Sequence, residues 1–428
     1  MNFDRMRALL LDQAIRGELV PQLAKEGEVD QIGAVPEQVP FAIPEKWKWV
    51  RLSDLVLKHL GGGTPSKLNV NFWNGDIPWA SVKDLKGTVL STTQDSITEE
   101  GLNNSSSNLI PAGTVIVCTR MGLGKVAINT VPVAINQDLR ALFLSEKIDK
   151  NYFLHFYSGM KIEGAGTTVK GIKLTELLNL LIPLPPVEEQ IRIVAKLEET
   201  FAEIDRAEKA YEELQTLAGV LRGQILQEAI QGKLVPQMAE EGVVEQIGVA
   251  PDERPFEIPK SWKWRALDEI FKFVDYRGKT PTKTTDGVRL ITASNVRQGY
   301  VDHKRIEFIS SEEYIDRQNR GISKKGDILF TTEAPLGNVA LADLDVYSAG
   351  QRVITLQTDS ENKKLLMYFM LSPYFQKALK NNATGTTAQG IKAARLKKLM
   401  LPVPPVEEQA RIASKVEELL KQVDALSA

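Results

Sequence analysis

The sequence predicts an α+β protein: two pseudo-repeated α/β domains separated by long antiparallel coiled-coil helices, in a cyclic pseudo-twofold arrangement. Three observations carry this. A long stretch returns at an offset of 215 residues, half of the 428-residue chain. The segment between the copies has apolar residues at three- and four-residue steps, the spacing of a helical seam. The same helical segment occurs a second time cut in two, with its halves at the two ends of the chain.

The repeat is plain. Ala14–Gln22 (AIRGELVPQ) returns as Ala229–Gln237 (AIQGKLVPQ). Phe41, Ile43, Pro44, Trp47 and Trp49 match Phe256, Ile258, Pro259, Trp262 and Trp264. Weaker matches follow with a drifting offset: Gly113–Thr119 with Gly326–Thr332, Leu123–Ala127 with Leu336–Ala340, and Gly166–Lys173 with Gly385–Lys392. The copies close on Pro183–Gln190 (PLPPVEEQ) and Pro402–Gln409 (PVPPVEEQ). A period this long excludes a solenoid, so each repeat is a domain plus a connector.

The elements follow in order. Residues 1–39 read as a helix and linker, with Met6–Gln22 as the second half of a connector. Residues 40–185 form the first domain, with a strand at Thr114–Thr119, a helix at Asn151–Met160 and an extended close at Ile182–Leu184. Residues 186–255 hold the central helix and linker. Pro186, Glu188 and Glu189 start that helix well, because orphan N–H groups and the helix dipole favour acids there. Its seam runs Val194, Leu197, Phe201, Ile204, Ala207, Tyr211, Leu214, Ala218, Leu221, Ile225, which predicts a rod of roughly 65–70 Å at 1.5 Å per residue. Residues 256–404 form the second domain, with a strand at Asp327–Thr332, a helix at Lys364–Lys380 and an extended close at Leu401–Val403. Residues 405–428 form the last helix, with Ile412, Val416, Leu419, Val423 and Leu426 along its seam. Joined end to start, the terminal pieces rebuild the central connector. The expected geometry sets the terminal helices antiparallel to the central one, with the domains at opposite ends. Each domain is expected to hold a twisted mixed sheet.

Composition narrows the function. The chain is 43% hydrophobic and 25% charged, ordinary for a globular protein. Its single cysteine, Cys118, excludes a disulfide framework or a cysteine-rich zinc site. His59, His155 and His303 lie far apart. No apolar run approaches the roughly 18 residues of a membrane span, and Met1–Leu10 does not read as a signal peptide. The expectation is an intracellular protein without metal. The net charge of −2 hides a pattern. Residues 256–404 carry 24 basic against 16 acidic side chains and residues 40–185 carry 15 against 12, whereas residues 186–255 carry 7 against 15. Two basic domains separated by an acidic connector are compatible with a polyanionic partner.

Catalytic motifs are not evident. Gly124-Lys125 and Gly278-Lys279 lack the upstream glycine of a phosphate-binding loop, and neither Pro-Pro pair has the context of a base-methylating motif. Asp84-Leu85-Lys86 fits a nuclease-like fragment. Its counterpart Asn295-Val296-Arg297 has no acid, and such triplets are common by chance. Cys118 sits on an apolar strand opposite Thr331 of the other copy and reads as a buried structural residue.

DNA binding has more residues to draw on. The basic excess falls in Gly/Thr-rich loops, where backbone N–H groups can approach phosphates and Lys and Arg neutralise them. The candidates in the first domain are Thr64, Ser66, Lys67, Lys83, Arg120, Lys125, Thr167, Thr168, Lys170 and Lys173. Those in the second are Arg277, Lys279, Thr280, Asn295, Arg297, Thr332, Glu333, Thr386, Thr387 and Lys392. For any one loop an ordinary solvated turn explains the composition equally well. The Gly-Thr-Thr loops, present in both copies, favour phosphate contact. Arg120 would pair with guanine and Glu333 would accept from cytosine, while Lys173 would serve all sequences alike. Ile-Pro-x-x-Trp-x-Trp reads as a core anchor rather than a stacking platform.

The opening Pro-x-x-Trp-x-Trp…Leu (Pro44–Leu52, Pro259–Leu267) and the closing motif (Pro183–Val194, Pro402–Ala413) resemble those of the DNA specificity (S) subunits of type I restriction–modification systems. The likeness spans essentially the whole chain. It implies two target-recognition domains, each reading half of an asymmetric bipartite site in double-stranded DNA. It implies helices that space the domains and dock the modification (M) subunits, usually two, with restriction (R) subunits attached through M. S-adenosylmethionine would sit on M, ATP and Mg on R, and no cofactor on this chain. A cytoplasmic prokaryotic setting, without a membrane partner, follows from the same likeness. Leu197, Phe201, Ile204, Tyr211, Ile412, Val416 and Leu419 are the candidates for the M interface, or else only pair this chain's own helices. The helices and domain edges match closely between copies while the loops diverge, so the two half-sites should differ. The recognition subunit of a related assembly, or a self-contained nuclease relying on Asp84, are the competing readings.

Overall fold

The computed structural model describes residues 2–160, 162, 171–245, 247, 255–276, 280–385 and 389–427. The chain divides into two compact units, 1–210 and 211–428, and the division falls inside one continuous helix, Val187–Ile230. No described helix is long and apolar enough to cross a membrane.

In the first unit the strands are β1 (Lys48–Arg51), β2 (Val56–Gly61), β3 (Trp73–Ala80), β4 (Val115–Cys118), β5 (Val126–Asn129), β6 (Leu139–Leu144) and β7 (Leu181–Leu184), with shorter ones between them. The expected single sheet is three. A five-stranded sheet runs β2–β6–β4–β5 and then Val89–Leu90, and a four-stranded sheet runs Asp95–Ile97, β3, Val133–Ile135, Leu109–Ile110. Most of these strands span two to six residues between Gly, Pro and Asn turns, too short to continue one ladder. β4, the Val-Ile-Val-Cys run, is buried on both faces, as an unbroken apolar strand at a sheet centre should be. Cys118 is fully buried there and its thiol is pushed up to about 12 by desolvation. The structural reading of Cys118 therefore holds.

The second unit repeats this plan with β8 (Lys263–Ala266), β9 (Lys272–Asp275), β10 (Val288–Ile291), β11 (Ile328–Thr332), β12 (Leu336–Leu341), β13 (Val353–Gln357) and β14 (Met400–Val403). Its main sheet runs β9–β13–β11–β12, and β10 lies between Phe308–Ile309 and Ser348–Ala349. The helix expected over Lys364–Lys380 is two, Lys363–Leu371 and Pro373–Asn381. Pro373 lacks an N–H and forces Ser372 to extended backbone (ψ 150°), which ends the first helix and caps the second.

In each unit the opening and closing motifs form one antiparallel ribbon. β1 pairs with β7, Trp49 opposite Pro183, and β8 pairs with β14, Trp264 opposite Pro402. Trp47, Trp49, Trp262 and Trp264 are all buried, so the motif is a core anchor.

The helices after the closing motif are locked by a polar cluster that also repeats. Glu189 is 1% exposed and accepts from Trp47 Nε1 at 3.0 Å and from Gln22. Glu408, equally buried, accepts from Trp262 Nε1 at 2.8 Å and Gln237 Nε2 at 2.6 Å. Arg192 grips Glu26 with two bonds of 2.6 Å, and Arg411 grips Glu241 at 2.7 and 2.6 Å. Gln190 and Gln409 donate to the carbonyls of Pro185 and Pro404, so the closing Pro-Pro-Val-Glu-Glu-Gln folds onto itself. Burial raises the carboxyls of Glu189 and Glu408 above the ordinary range, against the opposing pull of these donors.

The N-terminal helix covers Phe3–Arg16 rather than continuing to Gln22. Gly17 ends it with φ 74°, and a Cβ there would lie 2.4 Å from Pro44 Cγ. Gly232 ends the long helix in the same way, φ 71° and 2.5 Å from Pro259 Cγ. Glycine is required at both for conformation and for space. Within the first unit, Arg7 reaches Asp205 and Glu208 at 2.6 Å while Gln22 reaches Glu189, so that helix runs antiparallel to the long one. Within the second unit, Arg222 bonds Asp424 and Gln237 bonds Glu408, which makes the C-terminal helix (Val406–Ser427) antiparallel to the end of the long helix.

Candidate nucleic-acid interface

Loops at one end of the main sheet converge in the first unit. β2 ends at Gly61, and the following Gly62 and Gly63 press against the chain beyond Val133–Ile135. A Cβ on Gly62 would lie 2.0 Å from the Ile135 carbonyl, and Gly63 N donates to that carbonyl at 3.0 Å. This close approach aims Thr64 at Gln137, with its Oγ1 2.5 Å from Oε1. Thr119, at the end of β4, receives Ile172 N and donates its own N–H to the Asp138 carbonyl at 2.8 Å. Those bonds place Arg120 beside Gly171 and beside Asp138, with which it forms an ion pair at 3.6 Å. Four separate loops therefore present Thr64, Gln137, Asp138, Arg120 and Lys173 together.

The second unit builds the same cluster from other residues. Thr280 Oγ1 lies 2.7 Å from Gln351 Oε1. Thr332 N donates to the Arg352 carbonyl at 2.9 Å, Ile391 N donates to the Thr332 carbonyl at 3.0 Å, and Glu333 bridges to Gly390. Glu333 pairs with Arg352 Nε at 2.9 Å. A cavity of about 430 Å³ opens here, lined by Thr280, Lys283, Arg305, Ala334, Gln351 and Arg352 among others. Burial would raise the Glu307 carboxyl on its wall, but bonds from Lys283 (2.7 Å) and Arg305 outweigh it and hold the carboxyl low. Met121 and Ala334, at the same place in the two loops, both have left-handed backbone (φ 60° and 45°). Held outliers of this kind cluster at functional sites.

The candidates read from the sequence divide accordingly. Thr64, Arg120, Thr280, Glu333, Lys173 and Lys392 fall in the clusters, and both lysines are exposed at the starts of short helices, Leu174–Leu178 and Ala393–Leu396. Ser66 and Lys67 are exposed beyond Thr64. Lys83 pairs with Asp95 at 3.8 Å, Lys125 reaches the Val82 carbonyl at 3.4 Å, and Arg297 pairs with Asp302 at 3.6 Å. Two candidates are structural instead. Asn295 is fully buried, accepting from Thr292 and donating to the carbonyls of Asp302 and Arg305. Thr332 is 2% exposed and bonds the Arg352 carbonyl. Thr167, Thr168, Lys170, Arg277, Lys279, Thr386 and Thr387 lie outside the described residues.

Asp84 is the counterpart of Asn295. It is 9% exposed and accepts from Ser81 N, Ser81 Oγ and Gln94 N at 2.8–3.0 Å, a turn-closing role. Among the described residues no group of three or more His, Cys, Asp or Glu side chains could hold a metal ion. Sequence reading missed Gln137, Asp138, Gln351, Arg352, Lys283 and Arg305. The shared glutamine in Asn136-Gln137-Asp138 and Gly350-Gln351-Arg352 was the available signal, in a stretch where little else matches.

The candidates for the M interface are placed differently from one another. Leu197 (1% exposed) lies in the core of the first unit with Phe201 against it, and Ile412 and Val416 lie in that of the second with Leu419 against it. Ile204 is buried and Tyr211 half-buried. The exposed apolar side chains of the long helix are others, including Leu214, Leu217, Val220 and Leu221.

Two domains of one plan, each with a cluster of charged loops at one end of a sheet, make a protein of paired modules. The chain belongs to the type I restriction modification DNA specificity domain family, whose profile matches twice, at residues 44–216 and 259–427. It is therefore a specificity subunit with two recognition domains. It is 39% identical over 162 residues to the EcoR124I/EcoR124II specificity subunit of Escherichia coli, a match covering 35% of this chain and 40% of that protein. It is 25% identical over 404 residues to the MjaVIII specificity subunit of Methanocaldococcus jannaschii, covering 90% of this chain and 87% of that one. A chain from a structural study of complex assembly and conformational transition of the type I R-M system shares the fold, with TM-score 0.61, 22% identity and coverage of 91% and 93%.

Proposed function

We propose that this chain performs no chemistry itself and directs partner subunits to an asymmetric bipartite DNA sequence, one half read by each loop cluster. The carrying observation is that the clusters share a frame and differ in the charged side chains set on it. Arg120 and Asp138 occupy the places of Glu333 and Arg352. The exchange moves the guanidinium to the other side of the pair, and the loops flanking it diverge in sequence, so the two halves are read unequally and the target is not a palindrome. Methyl transfer, with S-adenosylmethionine, belongs to M subunits, and ATP- and Mg-dependent cleavage belongs to R subunits held through M.

The acidic long helix repels DNA and suits a protein partner. Leu214, Leu217, Val220 and Leu221 are the apolar residues it offers to M, in place of the buried Leu197 and Ile412. A cytoplasmic, prokaryotic location accords with that assembly. The test is sequencing of modified bases in a host carrying this chain with its M partner, against a strain without it. The expected result is a bipartite methyladenine motif with unequal halves that disappears with the chain. A palindromic motif, or one that persists without the chain, would refute the proposal.

A further inference from the structure

The two clusters contain the same ion pair with its charges exchanged. The equivalence of the positions rests on backbone bonds. Thr119 N donates to the Asp138 carbonyl as Thr332 N donates to the Arg352 carbonyl. Ile172 N donates to the Thr119 carbonyl as Ile391 N donates to that of Thr332. Arg120 bridges Gly171 as Glu333 bridges Gly390. At this shared locus the first unit carries arginine after β4 and aspartate before β6. The second carries glutamate after β11 and arginine before β13. Beside each pair, a threonine hydroxyl pins a glutamine, Thr64 to Gln137 and Thr280 to Gln351.

We infer that this locus is the guanine-reading element of each domain, with Arg120 and Arg352 as the base-contacting residues and Asp138 and Glu333 as the groups that position them. The inference rests on the DNA-recognition reading above. Both arginine side chains are about half exposed, 50% and 48%; Arg352 turns Nε to Glu333 and Arg120 turns one terminal nitrogen to Asp138, which leaves each with further N–H groups for a ligand. A planar guanidinium steered by a neighbouring carboxylate matches the paired acceptors O6 and N7 of guanine in the major groove. The carboxylate limits the rotamers, so less entropy is lost on contact. An ion pair kept only for stability would not explain the exchange together with retained exposure, since exposed pairs contribute little. Glu333, which from sequence alone would accept from cytosine, gives Oε1 to Arg352 Nε at 2.9 Å while its side chain stays 45% exposed. Its task is orientation, and the base contact passes to Arg352.

Each half-site therefore contains a G·C pair under this locus. The test uses the full chain co-expressed with its M partner, and reads the methylation motif and the affinity for each single-base variant of the site. Arg120→Ala is expected to remove the preference for one G·C pair in one half-site only, and Arg352→Ala in the other half-site only, each lowering discrimination on the order of 10- to 100-fold. Arg120→Lys keeps the charge without the fork and is expected to weaken the same preference while binding within a few-fold of wild type. Asp138→Asn is expected to lower discrimination at that same position by less than Arg120→Ala does. Arg120→Asp alone loses the preference, and the exchanged pair Arg120→Asp with Asp138→Arg is expected to restore a G·C preference, displaced within that half-site as the guanidinium is.

A motif unchanged in all these variants overturns the inference. So does equal weakening of every sequence, which marks a phosphate contact. So does a Lys variant that keeps full discrimination, or an exchanged pair that restores thermal stability without a G·C preference. If the wild-type chain itself yields no motif, the recognition reading fails rather than this assignment.

Discussion

Glu408→Ala tests the lock that joins the second domain to its helices. The carboxylate is 1% exposed and accepts from Trp262 Nε1 and Gln237 Nε2. Truncation strands Trp262 Nε1 inside the unit, at about 1–3 kcal/mol, while the exposed Gln237 turns to water. Set against relief of the buried charge, the net loss is about 1–3 kcal/mol. Glu408→Gln keeps one acceptor oxygen and removes the charge, so its cost is about 1 kcal/mol or less. Denaturant unfolding of the full chain, followed by tryptophan fluorescence and fitted as two transitions, reads the effect. Glu408→Ala should shift one transition and Glu189→Ala the other.

pH gives the sign independently. Burial holds the Glu408 carboxyl above its ordinary range, against the donors Trp262 and Gln237, with Glu241 and Arg411 nearby. The folded chain then takes up this proton before the unfolded chain does. Stability of wild type relative to Glu408→Gln therefore rises as pH falls from 7 into the carboxylate range. An alanine variant costing less than about 0.5 kcal/mol, the scale of a surface substitution, would refute the argument. So would a glutamine variant as costly as alanine.

Other outcomes follow from the same geometry. Gly17→Ala and Gly232→Ala should each destabilise by at least about 1–2 kcal/mol in thermal melts, from left-handed backbone alone, with the proline clash adding to it. Glu26 behaves oppositely to Glu408: the bonds from Arg192 lower its carboxyl, so its stabilisation is present above the ordinary carboxylate range and lost as pH falls through the lowered value. Acid titration of wild type against Arg192→Ala should show that extra low-pH loss in wild type only. Lys173→Ala and Lys392→Ala should weaken binding to all DNA sequences alike and reduce the salt slope by about 1 each, with the motif unchanged, in salt-dependent binding measurements. Asp84→Asn should leave modification in the complex intact, because Asn295 closes the same turn, at about 1 kcal/mol for the lost Gln94 bond.

The helical frame was legible because its signals are local and strong. Proline followed by two acids set the start of the long helix. The repeat carried that start across to the C-terminal piece. The seam was legible in spacing but not in depth. Ala207, Leu214 and Leu221 continue the three- and four-residue steps yet are exposed, since periodicity fixes a face and not what covers it. The split at Ser372-Pro373 was written in the sequence and overridden by the apolar run around it.

The site was half legible. Arg120 and Glu333 stand beside recognisable strand ends, so composition found them. Asp138 and Arg352 begin other strands some twenty residues on, and only antiparallel pairing of β4 with β6 and β11 with β13 brings them across. Asn295 and Thr332 misled because a polar residue in a turn looks alike whether it faces water or closes the turn on itself.

The ribbons β1–β7 and β8–β14 also bear on how such a chain can change. Each fastens the entrance of a domain to its exit, so everything between Leu52 and Leu180 is one closed loop hung from a four-rung clasp. The entropy of closing a loop grows only with the logarithm of its length, and doubling the enclosed chain costs about 0.6 kcal/mol. A foreign insert of quite different size, if it supplies its own core, can hang from the same clasp without loosening the helices below. New sequence preference is then open to recombination at two short, adjacent stretches of chain, with the assembly surface left untouched.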